Sequence, residues 1–266
     1  MNGTAQQRVL LVGGSSEIGL AILSRLAADS PVLPYLLGRD RGALEAAAAA
    51  LRRAGTATAE LDTIDADDID AHGEVIARAF ARLGGFELVV LAIGLLGAQA
   101  GLDADRADVV EVMRVNFVGC GSLLWHCLRH LRAQELDCPG RGARPSRRRS
   151  GATMVVLSSV AAERARAGNP IYGAAKAGLD SLTQGLADAC AASGPRVLVV
   201  RPGFVRGRMT AGLPVAPFAT TPEAVADATV RALPGRARTI WVPGQLRFVF
   251  AVLRHLPRVI YRRLPL

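Results

Sequence analysis

The chain has 266 residues, half of them hydrophobic, which is long enough for one sizeable core and excludes a disordered protein. Its four cysteines show no CxxC spacing and no secreted-type framework, so we expect reduced thiols rather than disulfides. The formal net charge of +9 permits an anionic partner, namely nucleic acid, anionic lipid or a phosphorylated substrate, or simply a solvated basic surface.

Apolar, β-branched runs alternate with Ala/Leu-rich amphipathic stretches along the chain. This alternation predicts βα units around a parallel sheet. Strands are predicted at residues 8–12, 32–37, 56–61, 88–93, 153–157, 197–201 and 239–242. Helices are predicted at residues 17–28, 41–54, 68–83, 106–132, 171–192 and 222–233. The sequence therefore predicts a single α/β domain over residues 1–244, a three-layer, doubly wound Rossmann fold.

Two segments differ from this pattern. Residues 138–150 are rich in Gly, Pro and Arg and indicate a basic surface loop inserted before the fifth strand. Residues 245–266 mix arginines with bulky apolar residues, and helical spacing places four of these on one face: Phe248, Val252, Leu256 and Val259. This amphipathic segment suits an interfacial membrane helix, or equally a helix docked on the domain or on a second subunit.

The N-terminus has no charged region followed by a long apolar one, because the apolar run 9–12 leads directly into glycines. No apolar run is long enough to span a bilayer without charges. We therefore expect no signal peptide and no transmembrane span. The expected location is the cytoplasm, or the surface of the plasma membrane on its cytoplasmic or periplasmic side.

A Gly-rich turn, Gly13-Gly14-Ser15-Ser16-Glu17-Ile18-Gly19, follows the first strand and opens the first helix. Glycines there let the backbone approach a pyrophosphate, and a helix N-terminus favours its negative charge. The position of the turn between a strand and a helix indicates a dinucleotide site. Glu17 stands where the fingerprint has glycine, so its carboxylate must turn away from the pyrophosphate.

The end of the second strand bears on the choice between NAD and NADP. An acid at this position would accept the ribose hydroxyls of NAD, whereas an arginine would hold the 2′-phosphate of NADP. Gly38 occupies the acid position and Arg39 follows it, which favours NADPH; the alternative is a plain surface arginine. Asp65, one of five acids between residues 62 and 70, is the candidate for the adenine amino group.

The chain contains a single lysine, Lys176, among 32 Lys+Arg residues. Lys176 lies four residues after Tyr172 on a predicted helix, so both side chains share one face. A tyrosine is a poor acid–base group at neutral pH, and a neighbouring cation stabilises its phenolate. Ser159, at a strand end, could donate a hydrogen bond to the carbonyl oxygen of a substrate. Its neighbour Ser158 is interpreted as a hydroxyl of the strand or turn without a catalytic role. Asn116, inside a predicted helix, could mark a kink, be a surface amide, or order a water near Lys176.

In this order the Gly-rich turn, Asn116, Ser159, Tyr172-Gly-Ala-Ala-Lys176 and Arg201-Pro-Gly203 resemble the classical short-chain dehydrogenases/reductases over nearly the whole chain. The resemblance implies a catalytic tetrad of Asn116, Ser159, Tyr172 and Lys176, hydride transfer to or from NADH or NADPH, and no metal. It implies cofactor contacts from the following residues: Gly13, Ser15, Ser16, Ile18, Gly19, Arg39, Asp65, Gly94, Tyr172, Lys176, Pro202, Gly203 and Val205. The family's Asn-Asn-Ala-Gly is here Leu91-Ala92-Ile93-Gly94, and Gly207 replaces a frequent threonine that contacts the carboxamide.

Further motifs resemble the reductase subunits of decaprenylphosphoryl-D-ribose 2-epimerase: residues 13–22, 93–97, 163–166, 172–180, 206–209 and 252–258. That resemblance implies reduction of a polyprenylphosphoryl 2-keto-ribose to its arabinose epimer, with NADH in the family reaction. The implied partners are a polyprenyl-phosphate sugar, a flavin-dependent oxidase subunit and the inner membrane surface. Arg164 and Arg166 are then hypothesised to bind the substrate phosphate.

Three other functions compete with this one. A non-catalytic dinucleotide sensor would not need the single lysine, Lys176, at its position. A generic short-chain carbonyl reductase has the same tetrad but needs neither residues 245–266 nor the subfamily motifs. A nucleic-acid-binding protein would explain the charge, yet the basic clusters lack interleaved aromatic residues and no binding motif is present, so no nucleic acid is expected. The family resemblance also permits a homo-oligomer through the long fourth and fifth helices.

Overall fold

In a computed structural model, seven parallel strands form one sheet with helices on both faces. The structure describes residues 6–136, 151–164, 166–192 and 194–263. The strands are β1 (Gln7–Val12), β2 (Val32–Gly38), β3 (Glu60–Thr63), β4 (Leu88–Leu91), β5 (Thr153–Leu157), β6 (Arg196–Pro202) and β7 (Thr239–Val242). Their order is β3-β2-β1-β4-β5-β6-β7, so the winding reverses between β1 and β4. In such sheets ligands bind beyond the carboxyl ends of the strands at this reversal.

Helices of both layers cover the sheet. They are α1 (Glu17–Ala27), α2 (Arg41–Arg53), α3 (His72–Leu83), α4 (Arg106–Met113), α5 (Cys120–Leu136), α6 (Pro170–Cys190), α7 (Pro222–Ala232), α8 (Leu246–Leu253) and α9 (Arg258–Tyr261). Side-chain caps begin several of them: Asp40 accepts a hydrogen bond from Ala43 N, and Thr221 accepts one from Ala224 N. Pro222 fits the first position of α7 because that position has no intrahelical partner for an N–H.

Alternate residues of the central strands point to opposite faces and feed two separate cores. Leu10 and Val12 of β1 join one cluster, which also contains residues of α3 and α5. Val9 and Leu11 join the other, with residues of α1, α2 and α7. These two cores around one parallel sheet confirm the predicted three-layer, doubly wound architecture.

Two predicted elements were wrong in detail. The third strand is Glu60–Thr63 rather than residues 56–61, because Thr56 N still bonds to Leu51 O at the end of α2. This edge strand carries acids that pair with arginines of α3, so its sequence lacks an apolar run. The predicted helix 106–132 is α4 and α5 joined by a π-helical turn, Arg114–Gly119. The predicted basic loop 138–150 lies wholly outside the described residues.

The C-terminal segment docks on the domain through one face. Leu246 and Phe250 of α8 are buried against Val160, which lies just after β5. Across the described ranges, no helix has the length and apolar character needed to cross a membrane.

Candidate active site

The Gly-rich turn lies between the carboxyl ends of β1 and β4, where space is minimal. Gly13 has a φ of +98°, and a Cβ there would stand 2.8 Å from the backbone C and O of Ala92. A Cβ at Gly19 would stand 2.5 Å from Leu11 Cδ1, so glycine lets α1 press against the sheet. Ser16 caps α1 by accepting a hydrogen bond from Gly19 N at 3.3 Å. The backbone N–H groups at the start of α1 therefore face a site suited to a pyrophosphate.

Two of the residues that do not match the family pattern, Glu17 and Gly207, lie in contact. The carboxylate of Glu17 accepts a hydrogen bond from Arg208 N at 2.7 Å, and Arg208 donates back to Ser15 O. A Cβ at Gly207 would stand 2.5 Å from Glu17 Oε2. The carboxylate thus occupies the space that a side chain at 207 would need, and it ties the segment after β6 to the phosphate-binding turn.

Two arginines, Arg39 and Arg41, follow the end of β2, and one of them is available to bind a ligand. Arg39 is exposed and, within the described ranges, forms no hydrogen bond or ion pair. Arg41, by contrast, is held by Glu45 and Leu61 O. Asp65 is exposed beyond β3, and its carboxylate accepts a hydrogen bond from Asp67 N. The geometry therefore leaves Arg39 free for an anionic ligand.

Lys176 is buried, 3% exposed, where the ends of β4 and β5 meet. Its ammonium donates to Ile93 O and Leu157 O, both at 3.2 Å. An ammonium has three donors, so one remains without an acceptor within the portion of the chain that the structure describes. A Cβ at Gly94 would stand 3.4 Å from Nζ, so only a glycine keeps the space beside the ammonium open. Burial raises the pKa of the neighbouring Cys120 thiol to about 11, which keeps that thiol neutral beside Lys176.

The two adjacent serines have different surroundings. Ser158 Oγ donates to Asp180 Oδ2 at 2.6 Å, deep in the protein. Ser159 Oγ accepts from Ala161 N at 3.1 Å, and its own hydrogen has no acceptor in the described ranges. The hydroxyl hydrogen of Ser158 is therefore used within the protein, whereas that of Ser159 can be donated to a ligand. Gly173 presses on Ala161 O, which brings the start of α6, with the half-buried Tyr172, against the turn that holds Ser159.

Asn116 is fully buried in the π-helical turn. Its amide accepts from Leu95 N at 2.9 Å and donates to Leu95 O at 2.8 Å and Val112 O at 3.0 Å. The surface-amide alternative was therefore wrong, and the kink is real. A π turn releases backbone groups from the α-helical ladder, and here the amide bonds to one of them, Val112 O, while it holds the loop that follows β4.

A buried ionic network supports the site, and sequence patterns did not predict it. Arg201 binds both carboxylate oxygens of Asp180, at 2.7 and 2.9 Å, and also contacts Glu163. Glu163 in turn accepts from Trp241 Nε1 at 2.8 Å. Burial acts to raise the pKa of Asp180, but hydrogen bonds from Arg201 and Ser158 outweigh it and hold that pKa below its usual value. The network links α6 to the turn after β5.

The two arginines hypothesised to bind a phosphate differ. Arg164 donates to Leu253 O and, at 2.6 Å, to Leu256 O, and its guanidinium stacks on Tyr261 at 4.1 Å. These contacts make it an anchor of the C-terminal segment and leave it poorly placed for a substrate. Arg166 Nε is buried without a hydrogen-bond partner among the described residues. Arg166 therefore keeps its Nε–H available for a ligand.

Comparisons with known proteins agree with this arrangement. A family model described as short chain dehydrogenase matches residues 7–215. An uncharacterized oxidoreductase of Mycobacterium tuberculosis is 43% identical over 265 residues, covering 100% of both chains. Cis-4-hydroxycyclohexanecarboxylate dehydrogenase of Sinomonas cyclohexanicum is 31% identical and covers 79% of this chain and 78% of its own. A short chain dehydrogenase of Burkholderia cenocepacia, solved in complex with NADP, superposes with a TM-score of 0.78 at 19% identity, covering 98% of each chain.

Proposed function

This chain belongs to the short-chain dehydrogenase family of oxidoreductases, and on that premise we propose that it reduces a ketone to a secondary alcohol with NADPH. The observation that carries the proposal is the position of its single lysine. Lys176 is buried beside Gly94 with one donor unused, at the carboxyl edge of the sheet beyond β4 and β5, and β4 is one of the two strands between which the winding reverses. A buried ammonium with an unused donor there is suited to holding a ligand.

The residues present fit a nicotinamide dinucleotide. The Gly13–Gly19 turn would hold the pyrophosphate, since it leads into the N-terminus of α1, whose backbone N–H groups favour an anion. The unused donor of Lys176 would bind the nicotinamide ribose, and Arg39 would bind a 2′-phosphate. When bound, the nicotinamide supplies the hydride. The NADP bound in the Burkholderia structure supports NADPH as the cofactor. The epimerase resemblance favours NADH instead.

We assign the proton chemistry to Tyr172. A ketone that accepts a hydride at carbon needs a proton at oxygen, and the phenol of Tyr172 would donate it. The ammonium of Lys176, four residues on, stabilises the phenolate that remains. Ser159 would donate its free hydrogen to the carbonyl oxygen. Asn116 acts through the backbone of Leu95 and so positions the loop that carries Gly94.

A small ketone or secondary alcohol is the substrate class that the relatives support, since one of them is named for a hydroxycyclohexanecarboxylate. The second candidate is a polyprenylphosphoryl 2-keto-pentose, delivered by a flavin-dependent oxidase. Its support is the motif resemblance together with the buried, unpartnered Nε of Arg166, which offers a donor to a phosphate.

A substrate panel tests the proposal. The purified chain is supplied with NADPH or NADH and with alicyclic ketones, or with polyprenylphosphoryl ribose and a flavin oxidase. Reduction of any ketone, lost in Tyr172→Phe, supports the reductase. Formation of the arabinose epimer, with a raised KM in Arg166→Gln but not in Arg164→Gln, supports the second substrate. If no ketone in the panel, and not the keto-pentose either, led to oxidation of NADPH, the proposal would be contradicted.

A further inference from the structure

The C-terminal segment has an exposed apolar face opposite the face that docks on the domain. Leu246 and Phe250 are buried, whereas four large apolar side chains are more than half exposed. These are Phe248, Val252, Val259 and Ile260, which we call the C-terminal face. Leu256, expected on this face from helical spacing, is half-buried instead. Solvent exposure of several neighbouring apolar side chains marks a contact surface.

The segment is held firmly on the domain. Arg164 donates to two carbonyl oxygens at the end of α8, Leu253 O and Leu256 O, and stacks on Tyr261 of α9. Tyr261 is buried, so α9 is also seated. The C-terminal face is therefore part of the folded surface, and it cannot turn inward without breaking these contacts.

The charge around the C-terminal face has one sign. Residues 244–266 contain no Asp or Glu, and they include Arg247, Arg254, Arg258, Arg262 and Arg263, each of which is exposed. Apolar side chains surrounded by arginines are the composition of segments that lie at the surface of an anionic membrane. Arginine stems can also lie along apolar material while the guanidinium reaches headgroup phosphates.

α8 packs beside the carboxyl end of β6, at the edge of the sheet where the active site lies. Gly203, at the end of β6, lies between Leu246 of α8 and the backbone of Phe218, because a Cβ on it would contact both. The segment that ends at Phe218 also exposes apolar side chains, among them Val215 and Met209. Met209 Cε reaches the space beside Gly94, so this apolar surface extends from the site toward α8.

We propose that the C-terminal face docks on an anionic lipid bilayer. A two-fold contact with a second copy of the chain would bring this arginine-rich surface against itself, with no acid in the segment to compensate. Anionic headgroups supply the missing negative charge, and the acyl boundary accepts the four apolar side chains. The proposal does not depend on the reductase assignment, since it rests on the surface alone.

Vesicle sedimentation with the full chain tests the proposal. The chain should pellet with vesicles containing phosphatidylglycerol and stay in solution with pure phosphatidylcholine, and binding should weaken as salt rises. Arg258→Gln, Arg262→Gln and Arg263→Gln together should weaken binding about 100-fold, at about fivefold for each arginine. The matched control removes three exposed arginines elsewhere, Arg52, Arg53 and Arg106, and should change binding by less than about twofold.

Apolar variants separate the bilayer from a second subunit. Phe248→Gln with Val252→Gln should reduce vesicle binding, whereas Leu102→Gln with Val110→Gln, exposed on another surface, should not. Thermal unfolding and ketone reduction check that each variant is folded. Absence of wild-type binding to phosphatidylglycerol vesicles, or equal loss in both arginine triples, would overturn the proposal. So would a dimer in light scattering that dissociates in the Phe248/Val252 variant.

Discussion

Gly207 and Glu17 are expected to depend on each other, so that Gly207→Thr is tolerated only when the Glu17 side chain is absent. A Cβ at position 207 would stand 2.5 Å from Glu17 Oε2 and 3.3 Å from its Cδ, so the carboxylate has to move. Moving it breaks the 2.7 Å hydrogen bond from Arg208 N. Because Glu17 is 38% exposed, solvent replaces part of that bond, and its loss costs about 1 kcal/mol.

Local displacement adds about 1 kcal/mol, the low end for overpacking, since the clash involves the tip of a flexible side chain. Gly207→Thr alone should therefore destabilise the chain by about 2 kcal/mol, or roughly 4–8 °C in Tm. Glu17→Gly alone should cost about 1 kcal/mol, because it removes the same hydrogen bond. The double variant loses the hydrogen bond once and has no clash, so it should cost about 1 kcal/mol in total, about 2 kcal/mol less than the sum of the two single changes.

Urea unfolding of the four proteins measures this coupling, and NADPH fluorescence gives the cofactor Kd for each. We expect Kd to follow the same order, because the tether holds the segment after β6 against the phosphate-binding turn. The matched control is Gly168→Thr, where a Cβ would have no neighbour within 4 Å. Combined with Glu17→Gly it should be additive. An additive result for Gly207→Thr as well would refute the proposed contact.

Three further outcomes follow from the site. Arg39→Ala should raise KM for NADPH about 10- to 100-fold, the worth of a charged hydrogen bond, and leave KM for NADH within about twofold; equal changes would contradict a 2′-phosphate contact. Ser159→Ala should lower kcat and, by losing the bond from Ala161 N, slightly lower Tm, whereas Ser158→Ala, which loses its bond to Asp180, should lower Tm more and kcat less; steady-state kinetics and calorimetry distinguish them. Because the pKa of Asp180 is lowered in the folded chain, its contribution to stability is complete above about pH 4 and is lost as pH falls through the folded value. Asp180→Asn should be about 3 kcal/mol less stable at pH 7 and show a shallower acid dependence below pH 4; an unchanged acid dependence would disprove the assignment.

Local patterns predicted most of the fold because local chemistry determines it. The strands beginning near Arg8, Val32 and Thr153 are continuous apolar runs, and a run buried on both faces is easily recognised. The third strand was misplaced because an edge strand carries Glu60 and Asp62, which are stabilised by arginines of α3 rather than by burial. The π turn around Asn116 was foreseen only as a kink, since its hydrogen bonds reach a loop 21 residues away.

The candidate site was predictable where side chains share one helix or one turn. Tyr172 and Lys176 are four residues apart, and the glycine turn is contiguous. The tether of Glu17 spans about 190 residues of sequence, and the pairing of Arg201 with Asp180 and Glu163 joins three elements. No periodicity or spacing in the sequence encodes such contacts, because these residues come together only when the whole sheet has assembled.

The most direct test of the reductase proposal is a single-turnover measurement with NADPH, a reducible ketone and the Tyr172→Phe variant. The phenol is the proposed proton donor and is not needed to seat the pyrophosphate. The variant should therefore bind NADPH with a Kd within about threefold of wild type and transfer hydride about 10²- to 10⁴-fold more slowly. Hydride transfer at the wild-type rate in Tyr172→Phe would contradict the proposed role of Tyr172 and the chemistry built on it.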